Sequence, residues 1–231
     1  MKKAFTLLEL VFVVIVIGIL AASIIPRVGS NKLQEAAIQL VSHIRYTQHL
    51  AMIDDTFNKD DINWYKKRWQ IAFHNGNNTN NKWSYSIFSD SSGSSTGAAD
   101  TVEIAINPLN RAQRMTGGHS GDIDLNINSS SFIGMKTLNL KLTYAIVDIK
   151  LSKSCKVYGS RRIYFDYLGR PIKGKLGKSR NGGNRQSYEK KNLITKNCII
   201  TLISDTSEIS LKITPETGYS CILNKENKEC I

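Results

Sequence analysis

The sequence of 231 residues lacks several of the short motifs by which enzymes are recognised. It contains no complete Walker loop, no His-Glu-x-x-His zinc motif and no dinucleotide-binding fingerprint. Its four histidines are scattered. Two of them, His43 and His49, lie about 240° apart around the axis of a predicted helix. These absences favour a protein that is not an enzyme and that needs no cofactor, with its histidines on the surface or in loops.

Acidic residues are scarce between residues 150 and 196, where 14 lysines and arginines accompany only two aspartates and glutamates. The net charge of this segment is +12, the same as that of the whole chain, so the remaining residues balance. Glycine-interrupted basic loops beside aromatic residues are typical of proteins that bind single-stranded nucleic acid. A solvated loop or an assembly contact is the alternative, and both interpretations stay open. The residues that would contact DNA are Lys173, Lys175, Lys178, Arg180, Arg185, Lys190 and Lys191.

Charge is nearly absent from residues 5–25, a stretch of 21 residues in which Glu9 is the only ionisable side chain. As a helix, this stretch would be about 31 Å long, close to the roughly 30 Å of a bilayer's hydrocarbon core. Lys2 and Lys3 precede it, and positive charge on the short N-terminal side favours a cytoplasmic N-terminus. The pattern therefore predicts a single membrane span, with everything after Pro26 outside.

A carboxylate inside a membrane span costs about 2.5–3.5 kcal/mol, so Glu9 needs a cationic partner there. The span itself contains none. Cleavage between Ala4 and Phe5 would create one, because the new α-amine of Phe5 would lie one helical turn from Glu9. That amine could meet the Glu9 of its own helix or of a neighbouring helix. The arrangement favours the side-by-side docking of similar helices.

Residues 2–9, Lys-Lys-Ala-Phe-Thr-Leu-Leu-Glu, resemble the prepilin signal of the type IV pilin and type II secretion pseudopilin superfamily. That family usually has glycine where this chain has Ala4. The resemblance implies that a prepilin peptidase cuts after Ala4 and methylates Phe5, and that Glu9 pairs with a neighbour's N-terminus during filament assembly. Gly18 and Pro26 fall where the family carries its helix-loosening pair.

The same resemblance implies partners and a location. The partners are other pilins or pseudopilins, bound through the N-terminal helix, the prepilin peptidase and the inner-membrane assembly platform. The location is the inner membrane, crossed once, with the C-terminal domain in the periplasm, followed by the filament after assembly.

A second resemblance covers residues 161–171 and 198–219, which look like the C-terminal half of the H-type (FimT-like) minor pseudopilins. That family has an aromatic strand, a glycine turn and a closing hairpin that ends in glycine, often followed by arginine. Here Gly218 is followed by Tyr219. The implied function is a minor pilin or pseudopilin, a structural subunit of a filament for protein secretion or DNA uptake, and some FimT-like minor pilins serve DNA uptake.

All four cysteines follow the predicted span, on the side of the membrane where disulfides persist. Four cysteines allow three connectivities. We favour Cys221–Cys230, which closes a short C-terminal loop, and Cys155–Cys198, which joins two predicted strands. No Cys-x-x-Cys or Cys/His pair occurs, so we expect no metal site.

Beyond Pro26 a helical pattern continues to about Ile53, with apolar residues at three- and four-residue steps. The residues of this stripe are Leu33, Ala37, Leu40, Ile44, Thr47 and Ala51. Predicted strands make up most of the remainder: Trp69–Phe73, Trp83–Phe88, Val102–Ile106, Ile123–Ile127, Leu138–Leu151, Arg161–Asp166, Cys198–Ser204, Glu208–Ile213 and Tyr219–Leu223.

The predicted fold class is α+β, with a long N-terminal helix packed on a C-terminal antiparallel sheet or two-sheet domain. Its helix has a membrane half and an amphipathic half. The predicted divisions are a leader peptide at 1–4, a transmembrane and assembly helix at 5–26, an amphipathic helix at 27–56 and a β-rich periplasmic domain at 57–231.

Two other origins of the apolar stretch are a conventional signal peptide ending at Ala21-Ala22-Ser23 and an uncleaved membrane anchor. Neither explains Glu9. Under either one, the protein would be a secreted or membrane-anchored periplasmic protein with an unrecognised enzymatic or binding role.

Overall fold

The structure, a computed structural model, describes residues 6–54, 56–61, 64–91, 99–157, 159–174, 177–178, 184–185 and 192–231. For residues 21–31, 177–178 and 184–185 it describes the backbone alone. Helix α1 is Leu7–Ile53 and helix α2 is Leu140–Tyr144. Asp54 is the C-cap of α1, and its backbone N–H donates to the Leu50 carbonyl at 3.0 Å.

The strands form two four-stranded antiparallel sheets and one two-stranded ribbon. The strands are β1 (Gln70–His74), β2 (Ser84–Phe88), β3 (Asp148–Leu151), β4 (Arg162–Phe165), β5 (Pro171–Lys173), β6 (Gly177–Lys178), β7 (Asn184–Arg185), β8 (Cys198–Ile203), β9 (Glu208–Ile213) and β10 (Ser220–Ile222). The first sheet has the order β2-β1-β4-β5 and the second has the order β10-β9-β8-β3. Strands β6 and β7 pair with each other. Strands β1 and β2 pair as one hairpin and β8 and β9 as another, and the four predicted strands that form them are confirmed.

The C-terminal part of α1 packs on both sheets through one apolar stripe. Leu40 and Ile44 have no exposed surface, and Ala37, Thr47 and Ala51 are also buried. The helix contacts β1 and β4 of the first sheet and β9 and β10 of the second. Strand β8 alternates buried and half-buried residues, as expected for a sheet with one face on a core. The predicted helical stripe is therefore the centre of the main core.

The first sheet is covered on both faces, unlike the second. All five residues of β2 are buried. Tyr85 and Ile87 face the core that includes α1, whereas Phe88 joins a separate cluster with Ile104 and Leu125. The second cluster is supplied by the chain between β2 and α2, which lies over the outer face of the sheet. Phe88 and Ile104 are joined by an isolated β-bridge.

Gln48 on α1 connects turns that belong to the two sheets. Its side-chain amide donates to the Gly169 carbonyl at 2.8 Å and to the Thr217 carbonyl at 2.7 Å. Gly169 and Gly218 have positive φ values of 78° and 66°. A Cβ at Gly218 would lie 2.4 Å from the Gly169 carbonyl oxygen. These turns therefore require glycine for conformation and for space.

Both predicted disulfides are confirmed. Cys155 pairs with Cys198 and Cys221 pairs with Cys230. Cys198 begins β8 as expected, but Cys155 lies in a short 3-10 helix, Lys153–Cys155, and not in a strand. The 3-10 helix follows β3 directly, so the disulfide joins the end of one edge strand to its neighbour.

The predicted fold class is wrong about the membrane half of its N-terminal helix. No helix within the described ranges combines the length and the apolar composition that crossing a membrane requires.

Three of the predicted strands are also wrong in whole or in part. Residues 101–103 and 123–125 form 3-10 helices, and only Asp148–Leu151 of the third prediction is a strand. Asp and Asn side chains explain the second case. Asn126 Oδ1 accepts from the Asn128 N–H at 3.0 Å, and Asp122 Oδ2 accepts from the Thr101 N–H at 2.8 Å. The bond between Asn126 and Asn128 is local, and such bonds compete with a strand's hydrogen-bond ladder, whereas the bond between Asp122 and Thr101 joins two segments.

Candidate functional site

The N-terminal end of α1 is closed by a capping box. Thr6 is the N-cap, and its hydroxyl accepts from the Glu9 N–H at 3.3 Å. Glu9 Oε2 in turn accepts from the Thr6 N–H at 3.0 Å and from the Thr6 hydroxyl at 3.1 Å. Two donors that a helix start leaves without partners are satisfied in this way. Glu9 thus has a partner in its own helix, which the sequence reasoning missed although Thr-x-x-Glu is a known capping signal.

The side chains from Leu7 to Leu20, the apolar helix segment, are all exposed. Leu7 is 83% exposed and Phe12 is 66% exposed. Residues 11–17 contain no polar residue, so apolar side chains cover every side of the helix and not one stripe. Exposed apolar surface of this extent marks a contact with another molecule. The segment is therefore the strongest candidate for an assembly surface among the described residues.

The other residues of the predicted signal are less fully described. Ala4 and Phe5, the predicted cleavage and methylation site, lie outside the described residues. Gly18 lies within α1, and a Cβ there would meet no atom within 4 Å. The backbone of α1 is helical at Pro26, whose side chain is not described. The predicted kink at these two positions stays a prediction.

Three of the seven predicted DNA-contact residues are described, one in the first sheet and two in the β6–β7 ribbon. Lys173 ends β5 and is half-buried. Lys178 pairs with Asn184, and Arg185 pairs with Gly177, in the β6–β7 ribbon. The remaining four, Lys175, Arg180, Lys190 and Lys191, lie outside the described residues. Contact with DNA stays a prediction.

The prediction of histidines on the surface or in loops holds for His49, which is exposed, and for His119, which lies in a loop, but is wrong for His43 in α1 and His74 in β1. The rings of His74 and His119 meet edge to face with centroids 5.2 Å apart. His43 Nδ1 lies 2.7 Å from the hydroxyl of Tyr85. Of the four, His49 is exposed on α1. Sequence spacing gave no signal for the first pair, because His74 and His119 are brought together only by the chain that covers the first sheet.

The two paired histidines line a partly open cavity of about 340 Å³, here called the histidine cavity. Its floor is formed by buried residues and its rim by exposed ones. The lining residues are Ala72, Phe73, His74, Gly76, Asn77, Asn78, Thr79, His119, Ser120 and Arg162. His74 Nε2 lies against the Gly118 carbonyl, and His119 Nδ1 lies 2.6 Å from the Ser120 carbonyl oxygen.

Burial lowers the pKa values of the two histidines and of Arg162 at the cavity. Burial lowers the pKa of His74 to about 3, with help from the charge of His119, and lowers the pKa of His119 to about 4. Both rings are therefore neutral at pH 7. Burial also lowers the pKa of Arg162 to about 10, so its guanidinium remains charged. Arg162 is stacked over the Phe88 ring at 5.4 Å from its centroid.

Asp90 is the acidic group whose charge acts on Arg162. It lies two residues after β2 and is fully buried, and neither of its carboxylate oxygens has a hydrogen-bond partner among the described residues. Burial, followed by the charge of Glu103, raises the pKa of Asp90 to about 6. Asp90 is not part of the lining of the histidine cavity.

The described part of the chain has no group of three or more His, Cys, Asp or Glu residues placed to hold a metal ion. The absence of enzymatic activity and of a cofactor stays a prediction.

Comparison with known proteins found no matching family, no matching curated protein and no matching solved structure.

Proposed function

We propose that this protein is a minor pilin or pseudopilin, a structural subunit added to a filament through the apolar helix segment. The observation that carries the proposal is the combination of Glu9 and its surroundings. A single carboxylate stands one turn into a helix whose next 11 residues, up to Leu20, carry no charge and are exposed. The first four residues of the chain have the form of a prepilin leader.

The apolar helix segment needs cover from more than one direction. A sheet or a single helix covers one stripe of a helix, and the stripe that includes Leu40 and Ile44 is covered in this way. The apolar residues from Val11 to Ile17 point in all directions. Similar helices arranged around the segment would cover every side, as in the interior of a helical filament. The neighbours in this proposal are the equivalent segments of other subunits.

Glu9 specifies how those helices align. A carboxylate among apolar helices is costly without a cation, so it favours the one axial offset that brings an N-terminal amine beside it. The capping box holds the carboxylate at the first turn and places Thr6 as the residue before the helix. In this proposal Glu9 accepts from Thr6 in the free subunit and from a neighbour's amine in the filament.

The first test is the chemical state of the N-terminus. Mass spectrometry of the protein from its host should find a chain that begins at methylated Phe5. A chain that retains Met1, or one that begins at Ile24 after a conventional signal-peptide cut, would contradict the proposal.

The second test is a matched pair of substitutions on α1. Glu9→Val should leave the unfolding midpoint of the protein unchanged and should remove the subunit from isolated filaments. Glu35→Val is the control, because Glu35 is an exposed glutamate of the same helix outside the apolar segment. Its filament content should equal that of the parent. Equal incorporation of the Glu9→Val protein would show that the carboxylate does not align subunits.

A further inference from the structure

The histidine cavity is of a size that ligands use. Small-molecule sites in proteins typically have volumes of about 300–1,000 Å³, and this cavity has about 340 Å³. Its rim includes Gly76, Asn77 and Ser120, which are exposed, so a ligand could enter from solvent. Ala72 and His119 are buried at its floor. The cavity lies far along the chain from the apolar helix segment, and filament assembly does not account for it.

The charge of the lining selects the class of ligand. Among the described residues that line the cavity, Arg162 is the one that carries a charge, and none is an aspartate or a glutamate. Its guanidinium is protonated at neutral pH, and the two imidazoles are neutral. Guanidinium groups bind phosphates and carboxylates through paired N–H donors, and burial strengthens the attraction. The lining therefore favours one anionic group.

The remaining polar groups favour a ligand that is larger than an inorganic anion. His119 Nδ1–H donates to the Ser120 carbonyl, so Nε2 of the neutral ring is an acceptor. Asn77 and Asn78 supply side-chain amides, which both donate and accept. These groups match hydroxyls or amides on the uncharged part of a ligand. A phosphate or carboxylate alone would leave most of the cavity to water.

We propose that the histidine cavity binds a small molecule, or the end of a chain, that carries one phosphate or carboxylate and neutral polar groups beside it. Arg162 binds the anion. His119, Asn77 and Asn78 bind the neutral part. The ligand enters over Gly76.

The test uses the full chain in detergent and two probes that differ only in charge, glycerol 3-phosphate and glycerol. Amide and imidazole NMR signals of His119 and Asn78 should shift and saturate with glycerol 3-phosphate, and should not respond to glycerol. Separate titrations with inorganic phosphate and with acetate give a dissociation constant for each anion. The anion that binds more tightly identifies the preferred charged group, phosphate or carboxylate. Absence of saturable shifts at the cavity, or shifts confined to residues 173–191, would overturn the proposal.

The matched variants are Arg162→Gln and Arg161→Gln. Arg161 is the preceding residue, is exposed, and is stacked over Trp83 outside the cavity. Arg162→Gln should weaken binding of glycerol 3-phosphate by at least about tenfold, whereas Arg161→Gln should change it by less than about twofold. Equal losses in both variants would mean general electrostatic attraction and would overturn the proposal.

Because Arg162 is in β4 and its replacement could disturb the sheet, a third variant fills the entrance instead. A Cβ at Gly76 would meet no atom within 4 Å, and its φ is −93°, so Gly76→Leu fits the backbone. It should abolish binding while leaving the circular dichroism spectrum unchanged. A folded Gly76→Leu protein that binds glycerol 3-phosphate like the parent would overturn the proposal.

Discussion

The two ends of α1 belong to one helix but have opposite surroundings. From Leu7 to Leu20 every side chain is exposed. From residue 32 to Ile53 the helix carries one buried stripe, in which Leu40 and Ile44 have no exposed surface. The difference comes from the arrangement of apolar residues and not from their number. A stripe can be covered by the protein's own sheets, whereas a helix that is apolar all round requires neighbours on several sides.

The polar residues show the same difference. In the packed part, Gln48 donates to backbone carbonyls in turns of both sheets. His43 bonds to the hydroxyl of Tyr85 in the first sheet. In the apolar helix segment, Glu9 binds Thr6, the N-cap residue of its own helix. The packed part is thus specified by contacts within the subunit. In the proposed filament, Glu9 is the group of the apolar helix segment that makes a specific contact with another subunit.

The largest expected effect is the difference between the two ends of α1 in how much one substitution lowers the free energy of unfolding. Leu40→Ala should lower the free energy of unfolding by about 2–5 kcal/mol, because it opens a cavity in the main core. Leu10→Ala should change it by less than about 0.5 kcal/mol, because Leu10 is 60% exposed. Urea unfolding of the full chain in detergent, followed by tryptophan fluorescence, measures both. A cost at Leu10 equal to that at Leu40 would show that the apolar segment packs on its own domain.

The next effect is a pH dependence in the packed part. Burial lowers the pKa of His43 to about 4, below the value of about 6.5 in an unfolded chain. Between pH 6.5 and 4 the unfolded chain therefore binds a proton on His43 more readily than the folded chain does. The stability that the fold gains from keeping His43 neutral is complete above pH 6.5 and is lost as the pH falls toward 4. As the pH falls over this range, the free energy of unfolding should decrease less in His43→Gln than in the parent, and the two decreases should differ by up to about 3 kcal/mol.

The control for that comparison is His49→Gln, since His49 is exposed on the same helix. His74 and His119 have lowered pKa values too, and they act equally in the parent and in both variants. Unfolding curves at pH 7, 5.5 and 4 provide the measurement. The same pH dependence in His43→Gln and the parent would mean that the Tyr85–His43 bond does not require a neutral ring.

The smallest effect concerns the capping box of the exposed end. Thr6→Ala should weaken the first turn of α1 by about 1 kcal/mol, because it removes the side chain that bonds both the Glu9 N–H and its carboxylate. Hydrogen exchange at the Glu9 amide should accelerate by roughly fivefold. Thr6→Ser keeps the hydroxyl and should exchange like the parent. Equal exchange in the Ala and Ser variants would show that the cap is not formed in solution.

Local pattern in the sequence was sufficient for the features that depend on neighbouring residues. The stripe that includes Leu40 and Ile44 follows from helical spacing, and the hairpin β8–β9 follows from alternation around a polar turn. The pairing Cys221–Cys230 follows from its short loop. The same reasoning failed at Ile123–Ile127, where side chains of Asp and Asn bind nearby backbone groups and replace a strand with a 3-10 helix.

By itself, the sequence determined the leader-like N-terminus, the apolar segment with its single carboxylate, and the stripe that meets the core, because each is a pattern along one element. Only the tertiary structure decided the histidine cavity and the burial of Asp90. His74 and His119 are 45 positions apart, and their rings meet because the chain after β2 covers the outer face of the first sheet. Burial there also shifts the pKa values of His74 and Asp90, since desolvation depends on what surrounds a group and not on its neighbours in sequence.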